Sequence, residues 1–368
     1  MRIYLRYIFI IIFLIAAFFI RVKLQKPAQT LPRNQEITFA ATLAREPKLT
    51  DKGQTLFVAD AKIYTQLFPR YKVGDRLQIS GEVDKQGRIF YPQITKVGAK
   101  RGVSGFLSKI RQKITANFAQ ILPSREASLV GGMVLGVDSI GAEFRDELIN
   151  TGTIHVVVVS GQNLVIVAGL FLSLSKYLGR RLSLLLATTA VFGYALLTGF
   201  EPPVIRASLM VLFSSIAIYF GRERIALWSL VLAALVILFF NPDALFEVSF
   251  QLTFAATLGI ITLGSLMQNL ARKRFKISSI AFDSIVQNAS ISTSAYLFTA
   301  PVILFHFERI SPVAPVVNVL VAELVSPIMI LGFVAAAASL IFMPLAQAVA
   351  YFAYVPAYIF ALIVSLFG

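Results

Sequence analysis

The residues most able to do chemistry are polar side chains inside long apolar runs, because each is costly in a membrane unless it faces a cavity or a partner. His155 lies at the start of one such run, which is then interrupted by Ser160, Gln162 and Asn163. On one continuous helix, His155 would share a face with Gln162 or Asn163. This spacing predicts a polar stripe that lines a wet path, with hydrogen bonding between packed helices as the alternative.

A second candidate lies where an apolar run restarts after two prolines. Glu201 precedes Pro202 and Pro203, and Arg206 follows inside the apolar run. An arginine in such a run needs a carboxylate, a backbone carbonyl or a phosphate as its partner. The pattern predicts a charged pair on a translocation path, and the alternative is an ordinary helix start with a solvated Glu201.

Two more polar places occur in the C-terminal half of the chain. Glu247 and Gln251 are four residues apart and would share one helix face, which predicts either a lining pair or packing contacts. Asn318 follows a loop that contains His306. Glu323 lies about 140° around a regular helix from Asn318, so these two would not share a face. A re-entrant or broken helix near the membrane surface is predicted there.

Residues 33–100 have a different character, with short stretches of alternating polar and apolar residues separated by turn residues. This pattern predicts four or five short strands, and an OB-like closed barrel would leave no exposed strand edge. The module is modestly basic, and most of its aromatic residues are expected in the core. A nucleic-acid surface is the functional alternative to generic solvated charge. Its candidate residues are Lys62, Arg70, Lys72, Arg76 and Arg88, with the aromatics Phe57, Phe90 and Tyr91.

Residues 101–150 are predicted to form amphipathic helices that lie along the membrane interface. Apolar residues recur at helical spacing over 103–122, and basic residues occupy other positions on the same helix. Three glycines predict a bend or close packing in a second helical stretch, over 124–150. The basic residues of the first helix extend the candidate nucleic-acid surface and are Lys109, Arg111 and Lys113.

The composition defines the class of protein to which these sites belong. Of 368 residues, 57% are hydrophobic and 14% are charged, whereas roughly a quarter of a soluble domain is charged. At about 20 apolar residues per crossing, the chain is predicted to be a polytopic α-helical membrane protein with eight or nine spans. The net charge of +15 suits both a positive-inside membrane protein and a polyanionic partner.

Several chemistries are excluded by what the sequence lacks. The chain has no cysteine, which excludes disulfides and thiolate metal sites, and its two histidines leave little room for a His-rich metal centre. Motifs for nucleotide hydrolysis, zinc peptidases and serine hydrolases are missing. We therefore predict a pore, carrier or scaffold that is not an enzyme and has no catalytic residue, metal or cofactor.

The apolar runs and basic loops predict the topology. An uncleaved membrane anchor is predicted over 1–32, because no small-x-small cleavage pattern precedes its flanking basic cluster, with a cleaved signal peptide as the alternative. The multi-span domain would cover 151–368, with its basic loops in the cytoplasm. This places the N-terminus inside and the module over 33–100 outside the cytoplasmic membrane. Spans are predicted near 154–175, 182–199, 203–220, 225–240, 245–269, 281–305, 313–342 and 346–367. The run 313–342 would be one tilted helix or two half-helices.

Several short motifs follow one another in a fixed order along the chain. They are Leu135-Gly136-Val137-Asp138, Thr151-Gly152-Thr153-Ile154-His155, Ser160-Gly161, Arg206-Ala207-Ser208, Gly221-Arg222, Asn241-Pro242, Phe250-Gln251-Leu252 and Ser311-Pro312 through Asn318. Behind an OB-like module, this set resembles the ComEC family of DNA-internalisation competence proteins. That family has a histidine directly after Ser-Gly-Leu, whereas this sequence has Gln162 and Asn163 there.

The resemblance implies a polytopic channel that passes single-stranded transforming DNA across the cytoplasmic membrane. The implied partners are single-stranded DNA, the lipid bilayer, a separate DNA receptor and a cytoplasmic translocase, and a homo-oligomer stays open. Many members carry a C-terminal metallo-β-lactamase-like domain; this chain is expected to lack it and to depend on a separate nuclease. The expected lining residues are His155, Ser160, Gln162, Asn163, Glu201, Arg206, Glu247, Gln251 and Asn318.

Two other functions stay open on the sequence alone. One is a transporter of a small or lipid-linked anionic solute, in which a compact pocket would replace a continuous pore. The other is a non-catalytic membrane scaffold that docks partner proteins through its outer module. A polyanion needs a wet and polar path through the bilayer, so the polar stripes suit the channel without excluding these two.

Overall fold

The computed structural model describes residues 32–43, 47–50, 53–58, 61–71, 74–99, 103–158, 160–200, 202–220, 226–275 and 280–368. Four predicted features lie outside these residues. They are the anchor up to residue 31, Lys72, Glu201 and the motif Gly221-Arg222.

The N-terminal module is a sheet of seven strands, and β5 is its central strand. β5 pairs antiparallel with β1, β6 and β7, β6 pairs parallel with β4, and β3 and β2 follow at the far edge. Alternate residues of β5 point into a core that includes Leu77, Ile79 and Ile89. The strands are β1 Gln35–Thr42, β2 Lys48–Thr50, β3 Gly53–Val58, β4 Ala61–Thr65, β5 Asp75–Val83, β6 Arg88–Phe90 and β7 Gln93–Ala99.

This strand-rich module differs from the predicted one in strand number and closure. Four or five strands are predicted, whereas the described residues form seven. The sequence pattern misses strands because β2 has only three residues and because a bulge opposite Arg76 and Leu77 interrupts the alternation of β7. Within the described part of the chain, no backbone pairing joins β1 to β2. The sheet is therefore a half-barrel over these residues rather than the predicted closed barrel.

The described residues after the half-barrel are mostly helical. The helices of the first half are α1 Val103–Ile121, α2 Ser124–Leu135, α3 Ala142–Asn150, α4 Ile154–Val157, α5 Gly161–Leu172, α6 Ser175–Leu178, α7 Arg180–Thr198 and α8 Pro202–Tyr219. The second half has α9 Ala226–Phe240, α10 Val248–Gly259, α11 Ser265–Phe275, α12 Ile280–Phe307, α13 Ala314–Ile341 and α14 Met343–Phe367. A 3₁₀ turn, Pro242–Phe246, precedes α10, and a π-helical turn, Ile260–Gly264, joins α10 to α11.

Six of the described helical stretches are long and apolar enough to cross a membrane, judged by length and composition. They are Ile154–Leu172, Arg180–Thr198, Val248–Arg274, Phe282–Phe307, Ala314–Ile341 and Met343–Phe367. Two shorter apolar helices are Pro203–Tyr219 and Ala226–Phe240. These eight segments lie where the sequence predicts apolar spans. The run near 313–342 is one helix although it contains Pro327.

Two predictions about individual helices are wrong. The stretch near 154–175 is not one continuous helix, because Val158 and Ser160 have extended backbones that separate α4 from α5. His155 and Asn163 therefore do not share one helix face. The predicted re-entrant or broken segment after His306 is also not observed, since α12 continues to Phe307 and α13 runs without a break.

α2 lies inside the helical bundle instead of along an interface. Every residue from Glu126 to Leu135 is buried, and the helix packs against α13 and α14. Glycine also allows α2 to approach α4 closely, because a Cβ on Gly132 would lie 2.8 Å from the Val157 carbonyl oxygen. The predicted bend is confirmed, because Gly136 ends α2 in the left-handed region with φ of 70°.

α13 and α14 pack closely as an antiparallel pair through small residues. α13 buries Gly332, Ala335 and Ala336, and α14 buries an alanine about every third or fourth residue from Ala346 to Ala361. Small residues at this spacing let two helix backbones approach closely in a membrane protein. The hairpin forms a large part of the main helical core.

Candidate functional site

The candidate site is a group of helix ends that polar contacts join side by side. α5, α8 and α10 begin here and α12 ends here. We call it the polar junction and define it by Asn163, Arg206, Gln251 and His306. α5 meets α8 closely, because a Cβ on Gly161 would lie 3.5 Å from the Ala207 Cβ.

Arg206 joins α8 to α10 across the polar junction. Its side chain is only 2% exposed. One Nη2 atom donates to the Ser249 carbonyl oxygen at 2.9 Å, to Ser249 Oγ at 3.2 Å and to Thr253 Oγ1 at 2.5 Å. The Nε atom is buried without a hydrogen-bond partner among the described residues. Three kinds of partner are expected for Arg206: a carboxylate, a backbone carbonyl or a phosphate. Of these three, the structure shows the backbone carbonyl.

Gln251 joins α10 to the end of α12. Its Oε1 accepts a hydrogen bond from His306 Nε2 at 2.9 Å, and its Nε2 donates to the Leu245 carbonyl oxygen at 3.1 Å. Glu247 is the residue before the first turn of α10 and accepts a bond from Asn241 Nδ2 at 3.5 Å. Gln251 and Glu247 are half-buried and His306 is exposed, so this part of the junction is reachable from outside the core.

Asn163 joins α5 to α2 and is completely buried. Its Nδ2 donates to the Met133 carbonyl oxygen at 3.1 Å, and its Oδ1 accepts from Ser160 Oγ at 3.0 Å. The Tyr194 hydroxyl of α7 donates to the same Met133 oxygen at 2.7 Å. The carbonyls of a final helical turn have no partner within the helix, so these two side chains complete the end of α2. Asn163 thus holds α5 to the end of α2.

The two donors to the Met133 carbonyl predict non-additive losses of stability. Tyr194→Phe or Asn163→Leu alone leaves this oxygen one partner, and we expect each to cost about 1 kcal/mol. The double variant leaves a buried carbonyl unsatisfied, so its cost should exceed the sum of the two by about 1–3 kcal/mol. Thermal unfolding of the four proteins in detergent measures this difference, and strictly additive losses would contradict the shared-acceptor geometry.

The other predicted lining residues are dispersed. His155 is exposed in α4, and Gln162 is exposed in the first turn of α5. Ser160 is half-buried at the extended break before α5. Asn318 lies in α13, away from the junction contacts, and its Oδ1 is buried without a partner among the described residues. The structure therefore brings Asn163, Arg206 and Gln251 into neighbouring helix ends and leaves Asn318 elsewhere.

The starts of α5, α8 and α10 bring positive dipole ends to the polar junction, where the negative end of α12 and the Glu247 carboxylate also lie. The first-turn N–H groups of a helix have no partner within the helix and carry its positive dipole end. The starts of α5 and α10 have no side-chain cap on these groups. With the buried guanidinium of Arg206 beside them, these ends favour negatively charged groups such as phosphates.

The half-barrel carries a second polar surface on the outward face of β4 and β6. We call it the outer ladder, and its members are Lys62, Tyr64, Arg88 and Phe90. Lys62 pairs with Arg88, and Tyr64 pairs with Phe90, in the parallel register. The Tyr64 and Phe90 rings stack with centroids 5.1 Å apart, and the Arg88 guanidinium lies 5.4 Å from the Phe90 centroid. Aromatic and cationic groups alternate on one face.

A salt bridge fixes Arg88 in this ladder. Asp84 Oδ2 accepts from Arg88 Nε at 2.7 Å, while Asp84 Oδ1 accepts the backbone N–H groups of Gln86 and Arg88. These hydrogen bonds, led by the one from the Arg88 backbone, lower the pKa of the Asp84 carboxyl. The carboxylate is therefore ionised at neutral pH and holds the guanidinium against the ring.

The aromatic residues of the half-barrel are more exposed than predicted. Phe90 is 53% exposed and Tyr91 is 65% exposed, and Phe57 is half-buried, so the expectation that most of these aromatics lie in the core is wrong. The core is instead filled by Leu, Val and Ile side chains. Phe68 is also exposed and has the Arg70 guanidinium 5.4 Å from its ring centroid. Exposed rings with arginines are available for stacking.

The remaining basic candidates divide into exposed and buried residues. Arg76, Lys109 and Lys113 are exposed. Arg111 is only 6% exposed, and its guanidinium lies 3.5 Å from the position of a Cβ on Gly199, at the end of α7. A cation at a helix C-terminus stabilises that end. Arg111 thus holds α1 to α7 and is not part of a nucleic-acid surface.

The candidate-site predictions include neither Tyr194 nor Glu323. Tyr194 gives no sequence signal, because a tyrosine in an apolar helix is common and its partner is a backbone carbonyl. Glu323 has a clear signal, since it is a carboxylate inside the apolar helix α13. The 140° offset from Asn318 concerns only these two residues and says nothing about partners on α12. The structure shows that Glu323 accepts hydrogen bonds from Ser284 and Asn288 of that helix.

Long apolar helices with polar residues at their joined ends are typical of a polytopic membrane protein. A family model described as "Competence protein" matches residues 133–367, and the chain belongs to this family, the competence domain of ComEC proteins. This result agrees with the family indicated by the sequence motifs.

Two curated relatives are similar to parts of the chain. ComE operon protein 3 of Bacillus subtilis (strain 168) is 29% identical over 220 residues, which are 57% of this chain and 26% of that protein. An uncharacterized protein of Aquifex aeolicus (strain VF5) is 28% identical over 262 residues, which are 69% of this chain and 57% of that protein. The chain thus matches less than two thirds of either relative's length. No solved structure matches it.

Proposed function

We propose that this chain forms a channel that moves single-stranded DNA across the cytoplasmic membrane during competence. The observation that supports this most is the polar junction, where the starts of α5, α8 and α10 and the Arg206 guanidinium lie together in a family of competence proteins. Each nucleotide carries one phosphate charge, and helix N-termini facing a cavity attract anions. In this proposal the chain has no catalytic role, and a separate nuclease degrades the other strand.

The proposed topology follows from the basic helix ends. In it the six long apolar helices and the two shorter ones all cross the membrane, and the N-terminal anchor adds a ninth crossing. Arg180 and Arg181 at the start of α7, and the basic residues 272–274 at the end of α11, lie in the cytoplasm. The starts of α8 and α10 and the end of α12 then face outward. The polar junction lies where a strand enters, on the side of the half-barrel.

The outer ladder would be the first contact for the strand. Bases stack on exposed aromatic rings, and arginine and lysine neutralise phosphates. Phe90, with Tyr64 and Arg88 beside it, offers such a stacking surface without base specificity. A separate DNA receptor would deliver DNA to this face, and a cytoplasmic translocase would draw the strand inward.

Removing the exposed ring of Phe90 is expected to weaken DNA binding. Loss of one base-stacking contact costs about 1–3 kcal/mol, so Phe90→Ala should raise the Kd for a fluorescent oligothymidine by about 5- to 150-fold. Fluorescence anisotropy of the detergent-solubilised chain measures the change. Tyr177→Ala removes a ring that is more exposed than Phe90 from α6, outside the half-barrel, and should leave the Kd unchanged. Equal affinities for all three proteins would remove the outer ladder from DNA capture.

DNA uptake by the competent host tests the channel function directly. Cells are given labelled double-stranded DNA, and nuclease-resistant single-stranded label in the cytoplasm is measured. Deletion of the gene should abolish this label, and the wild-type gene should restore it. Normal uptake in the deletion strain would overturn the proposal. If the deletion strain still binds DNA at the cell surface but takes none into the cytoplasm, the defect lies in translocation, as the channel proposal requires.

A further inference from the structure

Glu323 is a carboxylate in the interior of an apolar helix. It lies about 14 Å along α13 from Ala314, at 1.5 Å rise per residue. The helix has a mean hydropathy of 2.3, and Glu323 is its one charged residue. A charged side chain at such a depth is costly unless it faces a water-filled cavity or a compensating partner.

The partners of Glu323 are neutral side chains of α12. Asn288 Nδ2 donates to Glu323 Oε1 at 2.7 Å, and the Ser284 hydroxyl donates to the same oxygen. No cation among the described residues forms a salt bridge with this carboxylate. The side chain is also exposed. Because lipid contact would be costly for it, we expect this exposed side to face water or another polar surface rather than lipid.

The charged groups on the helices around α13 are engaged elsewhere or remote from these contacts. On α12, Asp283 pairs with Arg272 at 3.2 Å. On α2, Arg125 pairs with Glu143 and Glu147 of α3. α5 and α14 have no charged residue. The other charged residues of α1 and α2 are Lys109, Arg111, Lys113 and Glu126, and none of them contacts Glu323.

Polar atoms continue along α12 from Glu323 towards the start of α13. Ser284, Asn288 and Ser292 recur every four residues and so lie on one face of α12. Ser292 Oγ donates to the Pro315 carbonyl oxygen at 3.1 Å. Pro327 has no N–H, so the Glu323 carbonyl lacks its usual partner four residues later. A polar strip therefore connects Glu323 with one end of α13.

We infer that Glu323 is a proton-binding site at the contact between α12 and α13 and that strand movement is coupled to proton entry through it. The charged carboxylate has two neutral donors and no cation, so taking up a proton removes the cost of a charge in the bundle. Water on the outer side gives a proton to a carboxylate oxygen, and water on the inner side later receives it. This inference rests on the proposed channel function.

Vesicles containing the purified full chain test this inference. A pH-sensitive dye is enclosed, an inward proton gradient is imposed, and a labelled single-stranded oligonucleotide is added outside. For the wild type we expect faster acidification when the strand is present, together with nuclease-protected label inside. Glu323→Gln keeps the hydrogen bonds but cannot titrate, so strand-dependent acidification should be lost. Glu308→Gln makes the same chemical change in the exposed loop after α12 and should behave as wild type.

The outcomes separate this inference from the channel proposal. Strand entry with wild-type acidification in Glu323→Gln would overturn the proton site and leave the channel intact. Failure of strand entry in the wild type would count against the channel. In that case, proton entry into the vesicles that only Glu323→Gln abolishes would still support Glu323 as the proton-binding site. Thermal unfolding of each variant identifies a folding defect, and Glu323→Asp, which can titrate, should restore part of the acidification if Glu323→Gln is folded.

Discussion

Replacing Arg206 with alanine is expected to abolish DNA import and to destabilise the helical bundle. The variant loses hydrogen bonds from a buried guanidinium to Ser249 and Thr253, which join α8 to α10. Hydrogen bonds of a charged group contribute about 1.5–3 kcal/mol each, so a loss of about 3 kcal/mol is expected. Nuclease-resistant label in the cytoplasm and thermal unfolding in detergent measure the two effects. Arg180→Ala removes an exposed arginine and should alter neither.

Arg206→Met separates the structural part of this effect from the electrostatic part. Methionine fills much of the same space, and replacing a buried charge by an apolar side chain of similar volume is often close to neutral for stability. We therefore expect this variant to unfold near the wild-type temperature and still to fail in import. Normal import by folded Arg206→Met would show that the positive charge has no part in moving the strand.

Gly152→Ala is expected to have the second large effect, through backbone strain and overlap together. Gly152 has φ of 68°, and a Cβ there would meet the Ala314 Cβ at 2.6 Å. The left-handed conformation costs about 1–2 kcal/mol for a residue with a Cβ, and overpacking adds about 1–3 kcal/mol. We expect a total of about 2–5 kcal/mol and a strongly reduced amount of protein in the membrane.

Two control glycines separate these contributions. Gly179 has φ of 76° and ψ of 157°, a region that is essentially glycine-only, and no atom lies within 4 Å of its Cβ position, so Gly179→Ala should show backbone strain without overlap. Gly131 is helical with the same open space, so Gly131→Ala should be neutral or stabilising by a few tenths of a kcal/mol to about 1 kcal/mol. The second change Ala314→Gly should restore part of the stability of Gly152→Ala. No rescue by that second change would show that Ala314 is not the clashing group.

The Gly152 contact also connects two motifs that are far apart in the sequence. Ser311 Oγ donates to the Asn150 carbonyl oxygen at 2.5 Å, directly beside the contact between Gly152 and Ala314. The segments Thr151-Gly152-Thr153 and Ser311-Pro312 are both among those that indicate the family. Their joint position gives a packing reason for the small residues there, separate from any role in transport.

The amino-acid sequence by itself determined the class of this protein and the position of its elements. Apolar runs of membrane length fix where helices form, since the backbone must satisfy its own hydrogen bonds in lipid. Period-two alternation identifies a strand-rich module, and a left-handed Gly136 marks the end of α2. These signals are local, so they need no knowledge of what packs against what.

Only the tertiary structure decided which polar residues face a path and which hold helices together. The sequence predicts that Asn163 and Arg206 line a path and that Arg111 extends a nucleic-acid surface, yet each is buried against a backbone or helix end from a distant segment. Conversely, Phe90 has the sequence character of a core residue and lies on the surface. The hydrogen-bond partner of a side chain and its depth of burial depend on contacts between segments that are distant in sequence. Asn163 and Tyr194 both bond to Met133, over separations of 30 and 61 residues. A side chain's role follows from that three-dimensional environment, because hydrogen bonding and desolvation depend on the atoms that surround it in the folded chain.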